Sequence, residues 1–244
     1  MNNDLAGWYN SIPPISRYWF TAAIVGPLAL RLGVVSGETV ILNTDLFWGS
    51  FHIWRPFTAL FVYGLGFPYL TKLYFLYNYS TRLEKDHFAG KPADMAYMML
   101  VIFLTTIGIG MIMKMPVLFI PPIIACIYVW CNLYKDVIVS FFFGLKFKAI
   151  YLPWILMVFG LIVANDGFNE LLGIFIGHVY YFLKYRYPTE FGGPNLLETP
   201  QWLLNIFPEE RASGGFGTAP PRRAQTENQP RGRWFTGAGN RLGD

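Results

Sequence analysis

Residues 95–113 read MAYMMLVIFLTTIGIGMIM, nineteen positions without one charge. At about 1.5 Å of rise per residue, such a run as a helix comes close to spanning the ~30 Å of hydrocarbon in a bilayer. Working outward, five further apolar segments appear. Residues 18–35 enclose Pro27 and Arg31, and residues 60–79 are interrupted by Gly64, Gly66, Pro68 and Lys72. Residues 117–133 carry Pro121-Pro122, and residues 150–164 and 171–183 complete the set. Polar punctuation separates them at Glu84-Lys85-Asp86, Lys114, Lys135-Asp136, Lys146 with Lys148, and Asn165-Asp166-Gly167. The whole chain of 244 residues is 54% hydrophobic, 18% aromatic and only 14% charged. A soluble domain carries about 25% charge, so this surface cannot be coated for water. Disordered, collagen-like and coiled-coil classes fall on the same figures. The fold expected is an all-α polytopic membrane bundle of six helices, with residues 18–35 as a signal anchor rather than a cleaved leader.

The net charge of +4 is unevenly placed. From Tyr187 onward six arginines match six carboxylates, leaving the excess on the membrane portion. With a cytosolic N-terminus, the inside flanks hold nine basic residues: Arg17, Arg82, Lys85, Lys91, Lys135, Lys146, Lys148, Lys184 and Arg186. The outside flanks hold three: Arg31, Arg55 and Lys114. This positive-inside bias supports six spans with both ends in the cytosol. It orients loops and implies no nucleic-acid partner. Cys126 and Cys131 lie five apart in an apolar helix and read as small hydrophobes, not as a disulfide or metal pair. No metal or cofactor is expected.

Several segments are too short to cross a bilayer in comfort. Two readings are open: the bundle interior shields them, or they thin the membrane around them. Between the first two spans, residues 36–59 are too apolar for a free loop, and Leu46, Phe47, Ser50 and Trp54 fall at helical spacing. That pattern suits an amphipathic helix lying in the interface and ended by Trp54-Arg55-Pro56, with Arg55 placed to meet phosphate or to cap carbonyl groups. Lys72, Asn78, Asn132, Asp166, Glu170 and His178 are polar groups within or beside spans, and such groups face one another or a wet cavity. Three regions are expected: residues 1–17 cytosolic, 18–186 membrane-embedded, and 187–244 a mostly disordered cytosolic tail. The terminus at residues 234–243 nevertheless carries Phe235, Gly237, Gly239, Arg241, Leu242 and Gly243, a pattern that suits a docking peptide.

The residues Arg17-Tyr18-Trp19-Phe20, Trp54-Arg55-Pro56, Ser80-Thr81-Arg82-Leu83-Glu84, Pro92-Ala93-Asp94, Tyr151-Leu152-Pro153-Trp154, Asn169-Glu170-Leu171 and Gly173 with Gly177-His178 resemble the derlin family, in its derlin-1-like branch. The derlins belong to the rhomboid-like superfamily of six-helix bundles. The resemblance implies an endoplasmic reticulum membrane protein of ER-associated degradation, working with a ubiquitin ligase complex on misfolded clients and as a homo-oligomer. It also implies that the terminal peptide is an SHP box, which recruits the AAA+ ATPase called valosin-containing protein.

Rhomboid proteases need a Gly-x-Ser-Gly turn at the fourth span and a histidine on the sixth. Residues 117–133 contain no serine, and Glu170 stands where the histidine would be. Ser140 and His178 do not match the superfamily's catalytic pair, so no catalytic residue is assigned. Gly173 and Gly177 read as a small-xxx-small packing seam, and Trp54 with Arg55 as support for the first loop. The expected function is non-catalytic assistance to retrotranslocation, by membrane thinning or a channel-like cavity together with ATPase recruitment. A pure adaptor and an intramembrane serine protease are the alternatives.

Overall fold

A computed structural model describes residues 2–44, 47, 52–141, 144–164 and 166–208. Its first unit runs Met1–Arg211, and the second, Ala212–Asp244, lies outside the described residues together with the whole terminal peptide. The described chain is mostly helical. In chain order it contains α1 (Asn2–Asn10), α2 (Pro14–Arg31), α3 (Gly37–Val40), α4 (Arg55–Thr58), α5 (Phe67–Arg82), α6 (Pro92–Ile112) and α7 (Ile120–Leu133). There follow β1 (Ile138–Ser140), β2 (Lys146–Lys148), α8 (Leu152–Ala164), α9 (Phe168–Tyr181), α10 (Tyr187–Glu190) and α11 (Gln201–Ile206). Helices α5 and α9 each run on into a π turn, Leu83–His87 and Phe182–Arg186.

Proline sets many of these starts. It occupies the first or second position of α2, α4, α5, α6, α7 and α10. There its fixed φ already suits the helix, and its missing N–H belongs to the turn that has no intrahelical acceptor anyway. Helix α7 is apolar all round and buried along nearly its whole length, because α5, α6, α8 and α9 pack against it. Its Ile123, Ile124, Ala125, Ile127 and Val129 form the centre of the core. Burial on every side removes the need for a polar face.

Four features differ from the sequence reading. Residues 60–66 do not join α5; Gly64 and Gly66 leave that stretch extended, and the helix opens at Phe67. Trp54-Arg55-Pro56 begins the short turn α4 instead of ending a helix, as proline near a helix start favours. Of the amphipathic stretch proposed there, Leu46 and Ser50 lie outside the described residues. The fold is not purely α: β1 and β2 pair antiparallel, with Val139 opposite Phe147, and Gly144 takes a φ of +77° between them. Lastly, α6 with 21 residues is the one helix among the described residues that is long and apolar enough by itself to cross a membrane, while the helices at Ile120–Leu133 and Ala149–Val163 are apolar but shorter.

Residues beyond Arg186 are held to the bundle as far as Phe207. The Lys184 ammonium donates to the Leu197 carbonyl at 2.5 Å, Thr199 donates to the Asp94 carboxylate, and Leu203 of α11 is buried.

Candidate functional site

The N-terminal ends of α5 and α9 and the far end of α8 converge on one buried carboxylate. Lys72, in the second turn of α5, places its Nζ 2.5 Å from Oε1 of Glu170, in the first turn of α9. Lys72 is 4% exposed and Glu170 0%. Burying two charges costs more solvation than their attraction returns unless every remaining lone pair is also satisfied. Here one is not: Glu170 Oε2 accepts no hydrogen bond within the described chain. Gly160 of α8 explains how the helices reach this close, since a Cβ there would overlap the Glu170 carboxylate. Three helices therefore meet on one acidic group.

Above the pair, Asp166 holds the start of α9. Its carboxylate accepts from the backbone N–H of Asn169 at 3.4 Å and from Asn169 Nδ2 at 2.5 Å. Asp166 and Asn169 face Tyr63, Met115 and Phe119 across a cavity of about 320 Å³. Asn169 Oδ1 is a second buried acceptor without a partner. The first loop closes this end of the bundle. Arg55 is 4% exposed and caps three acceptors at once: the Glu38 carbonyl at 2.6 Å, the Ile41 carbonyl at 3.1 Å and His52 Nδ1 at 3.0 Å. Trp54 stays exposed and stacks on the His52 ring at 4.7 Å. Of the two roles open to Arg55, carbonyl capping is the one the geometry displays.

The structure brings together only part of the polar set. Asn78 and Asn132 return their amide donors to the carbonyls of Tyr74 and Tyr128, one turn back on their own helices. Such local bonds remove the drive toward a shared cavity. His178 is exposed near the other end of α9, with Nδ1 2.7 Å from the Tyr128 hydroxyl. Gly173 and Gly177 lie directly on α7. A Cβ at Gly173 would come 2.6 Å from Ile124 Cβ and from the Pro121 carbonyl, and one at Gly177 2.8 Å from the Ala125 carbonyl. Phe235, Gly237, Gly239, Arg241, Leu242 and Gly243 lie outside the described residues. Among those residues no three metal-ligating side chains converge.

Two polar devices at the opposite end escape a sequence reading. Glu84, 6% exposed in the first π turn, accepts from the backbone N–H groups of Ile15 and Ser16 at 3.0 and 2.7 Å and from Ser16 Oγ at 2.6 Å. It thus fastens the start of α2, although in sequence it is one charge of the cluster Glu84-Lys85-Asp86. His87, in the same π turn, sits 2.8 Å from the Tyr185 hydroxyl in the second one. Burial, reinforced by the nearby Lys91 ammonium, holds the His87 imidazole below its ordinary pKa. The signal that could have found Glu84 is a buried serine 68 positions away, which no local pattern announces.

Known proteins match this sequence along nearly its whole length. Residues 12–201 fit the Der1-like family. The chain is 46% identical to Derlin-1 of Mus musculus and of Homo sapiens over 249 aligned residues, covering 99% of each chain. It is 40% identical to Derlin-1 of Caenorhabditis elegans, over 98% of this chain and 99% of the relative. The helices that enclose the Lys72–Glu170 pair all fall inside the matched region, and the chain belongs to the Der1-like family.

Proposed function

We propose that this chain is a six-span protein of the endoplasmic reticulum membrane that serves ER-associated degradation without catalysis of its own. In this reading α2, α5, α6, α7, α8 and α9 are the spans of a rhomboid-like bundle over residues 18–186, with residues 1–17 and 187–244 in the cytosol. The buried pair then lies toward the lumenal side. The observation that carries the reading is the length of the helices around that pair. Helices α7 and α8 have 14 and 13 residues, whereas α9 continues through its π turn to Arg186. At about 1.5 Å per residue α7 and α8 reach only about 20 Å, well short of the ~30 Å of hydrocarbon.

Burial helps to choose between shielding and thinning. Protein surrounds α7, but α8 exposes Val158, Leu161 and Ile162, and α9 exposes Leu171 and Phe175. Lipid would touch both helices directly, and lipid beside the short apolar α8 thins. A thinner slab lowers the cost of carrying unpaired backbone amides across it. Residues 234–243 then hold the valosin-containing ATPase, which supplies the pulling, while a ubiquitin ligase complex and further copies of the chain complete the assembly. Nothing in this mechanism asks the chain to hydrolyse a bond, and α7 offers no serine as nucleophile.

Electron microscopy of the full chain in lipid nanodiscs tests the proposal. A dip in bilayer thickness beside α8 and α9 is expected; a sheet of uniform thickness there would end it. A second reading, a membrane adaptor that only anchors the ATPase, draws support from the docking-peptide pattern of residues 234–243. Grafting residues 187–244 onto an unrelated membrane anchor decides between them. Restored degradation of a lumenal client in cells lacking this protein would favour the adaptor.

A further inference from the structure

Helix α11 is a single short element bracketed by Pro200 and Pro208, yet it shows three different faces. At about 100° of turn per residue, positions four apart share a sector. Leu203 and Phe207 turn toward the protein: Leu203 is buried, and Phe207, whose N–H bonds the Leu203 carbonyl at 2.9 Å, sits at a hollow bordered by Ile15, Tyr18 and Ala96. Gln201 and Asn205 form an exposed polar sector. Trp202 and Ile206 form the third sector, apolar and exposed at 52% and 61%. A helix that bordered only protein and water has no use for an apolar sector on its open side.

The attachment of α11 sets its depth. Asp94, in the first turn of α6, is the last charge before the uncharged run 95–113. In the membrane reading it therefore stands at the headgroup level, where a carboxylate keeps its solvation. Thr199 donates to that carboxylate. Trp202 follows three residues later, within about 10 Å of chain. From there α11 runs along α6 and not away from it. The two helices pack together, and Phe207 shares its hollow with Ala96, Met99 and Leu100, which lie beyond Asp94 on the hydrocarbon side. Tyr18 of α2 and Leu104 of α6, also exposed, continue the same outer surface.

From this placement we propose that α11 is a membrane-surface anchor, with Trp202 and Ile206 seated in the interfacial layer of the cytosolic leaflet and Gln201 and Asn205 in water. The claim rests on the membrane reading above and goes beyond it, because a cytosolic tail needs no contact with lipid. Two arguments favour the bilayer over a protein partner. A pair of side chains offers far less than the roughly 800 Å² that each partner buries in a stable interface. At the headgroup level, by contrast, an indole finds apolar surroundings for its ring and water for its N–H. Helix α11 carries no lysine or arginine, so the anchor is apolar and asks for no anionic lipid. The chain leading on to residues 234–243 then departs from the bilayer surface itself, not from the end of α9.

The test places the fluorophore bimane on full-length protein in phosphatidylcholine liposomes, through Gln201→Cys, Trp202→Cys, Asn205→Cys or Ile206→Cys. All four side chains are exposed, and the melting temperature checks that each variant is folded. The native Cys126 and Cys131 are buried and take no label. A phosphatidylcholine with a doxyl group high on its acyl chain should quench positions 202 and 206 and leave 201 and 205 bright. Iodide in the water should quench 201 and 205 and spare 202 and 206. One pattern at all four positions, whichever quencher produces it, would overturn the proposal. So would protection at 202 and 206 that fades as added lipid dilutes the protein, since a second copy of the chain would then be the cover. Bimane at Ile162→Cys, on the exposed side of α8, separates this claim from the reading beneath it. Lipid quenching at 162 with iodide quenching at 202 and 206 rejects the anchor alone; iodide quenching at all three rejects the place of the chain in the bilayer.

Discussion

Lys72 and Glu170 each depend on the other, because among the described residues neither forms a second ion pair. Glu170→Ala should leave a buried ammonium and cost about 3–5 kcal/mol, read as a fall in melting temperature in detergent micelles. Lys72→Met with Glu170→Leu should recover most of that loss, since an apolar pair of similar volume needs no solvation. A wild-type melt for Glu170→Ala would mean the site is wet. At the other end, Glu84→Ala should cost about 1.5–3 kcal/mol and speed hydrogen exchange at the amides of Ile15 and Ser16. His87 adds a pH dependence of known sign. Its folded pKa lies below its unfolded one, so the folded form resists protonation. Stability is fully present above the ordinary imidazole pKa and is lost as pH falls through the folded value. Melting temperature should therefore drop as pH falls below about 6.5, and His87→Phe should flatten that part of the curve.

The contact of α9 with α7 is a glycine seam whose opposing atoms are largely backbone. Gly173→Leu and Gly177→Val have no room to gain, because the Pro121 and Ala125 carbonyls cannot swing aside. Each should cost about 1–3 kcal/mol or more by overpacking, visible as a lower melting temperature and easier proteolysis between α9 and α10. Gly160→Ala meets the end of a flexible side chain instead, so it should cost less and act by pushing Glu170 off Lys72. Apolar runs made most of the helices legible: residues 95–113 stand against Pro92–Ile112, and 117–133 against Ile120–Leu133. The sixth apolar run begins at 171, whereas its helix starts at Phe168. Asn169 and Glu170 fall just outside the apolar run, and their partners are not local; the lysine that neutralises Glu170 is 98 positions earlier. The hairpin of β1 and β2 hid for a similar reason, since three-residue strands flanked by lysines are too short for alternation to stand out. Glycine spacing marks the α7–α9 seam, whereas the local bonds of Asn78 and Asn132 are hidden because sequence cannot tell an amide that bonds its own helix from one that faces a neighbour.

At the scale of the whole molecule, loop charge and helix order make one topology testable. Leu145, in the hairpin turn, is 59% exposed and Leu32, past α2, 75%. With the N-terminus in the cytosol, Leu145→Cys should react with a membrane-impermeant maleimide in sealed microsomes, and Leu32→Cys only after permeabilisation. The native Cys126 and Cys131 are buried and should stay silent. The long reach of the ion pair also has a consequence for how the chain is made. Ribosomes add about 5–20 residues per second, so the 98 positions from Lys72 to Glu170 separate their emergence by roughly 5–20 s. Throughout that interval the second helix holds an ammonium with no counter-charge, and it can settle only when the last helix arrives. A nascent chain stopped anywhere short of α9 thus carries a lasting chemical mark of its own incompleteness.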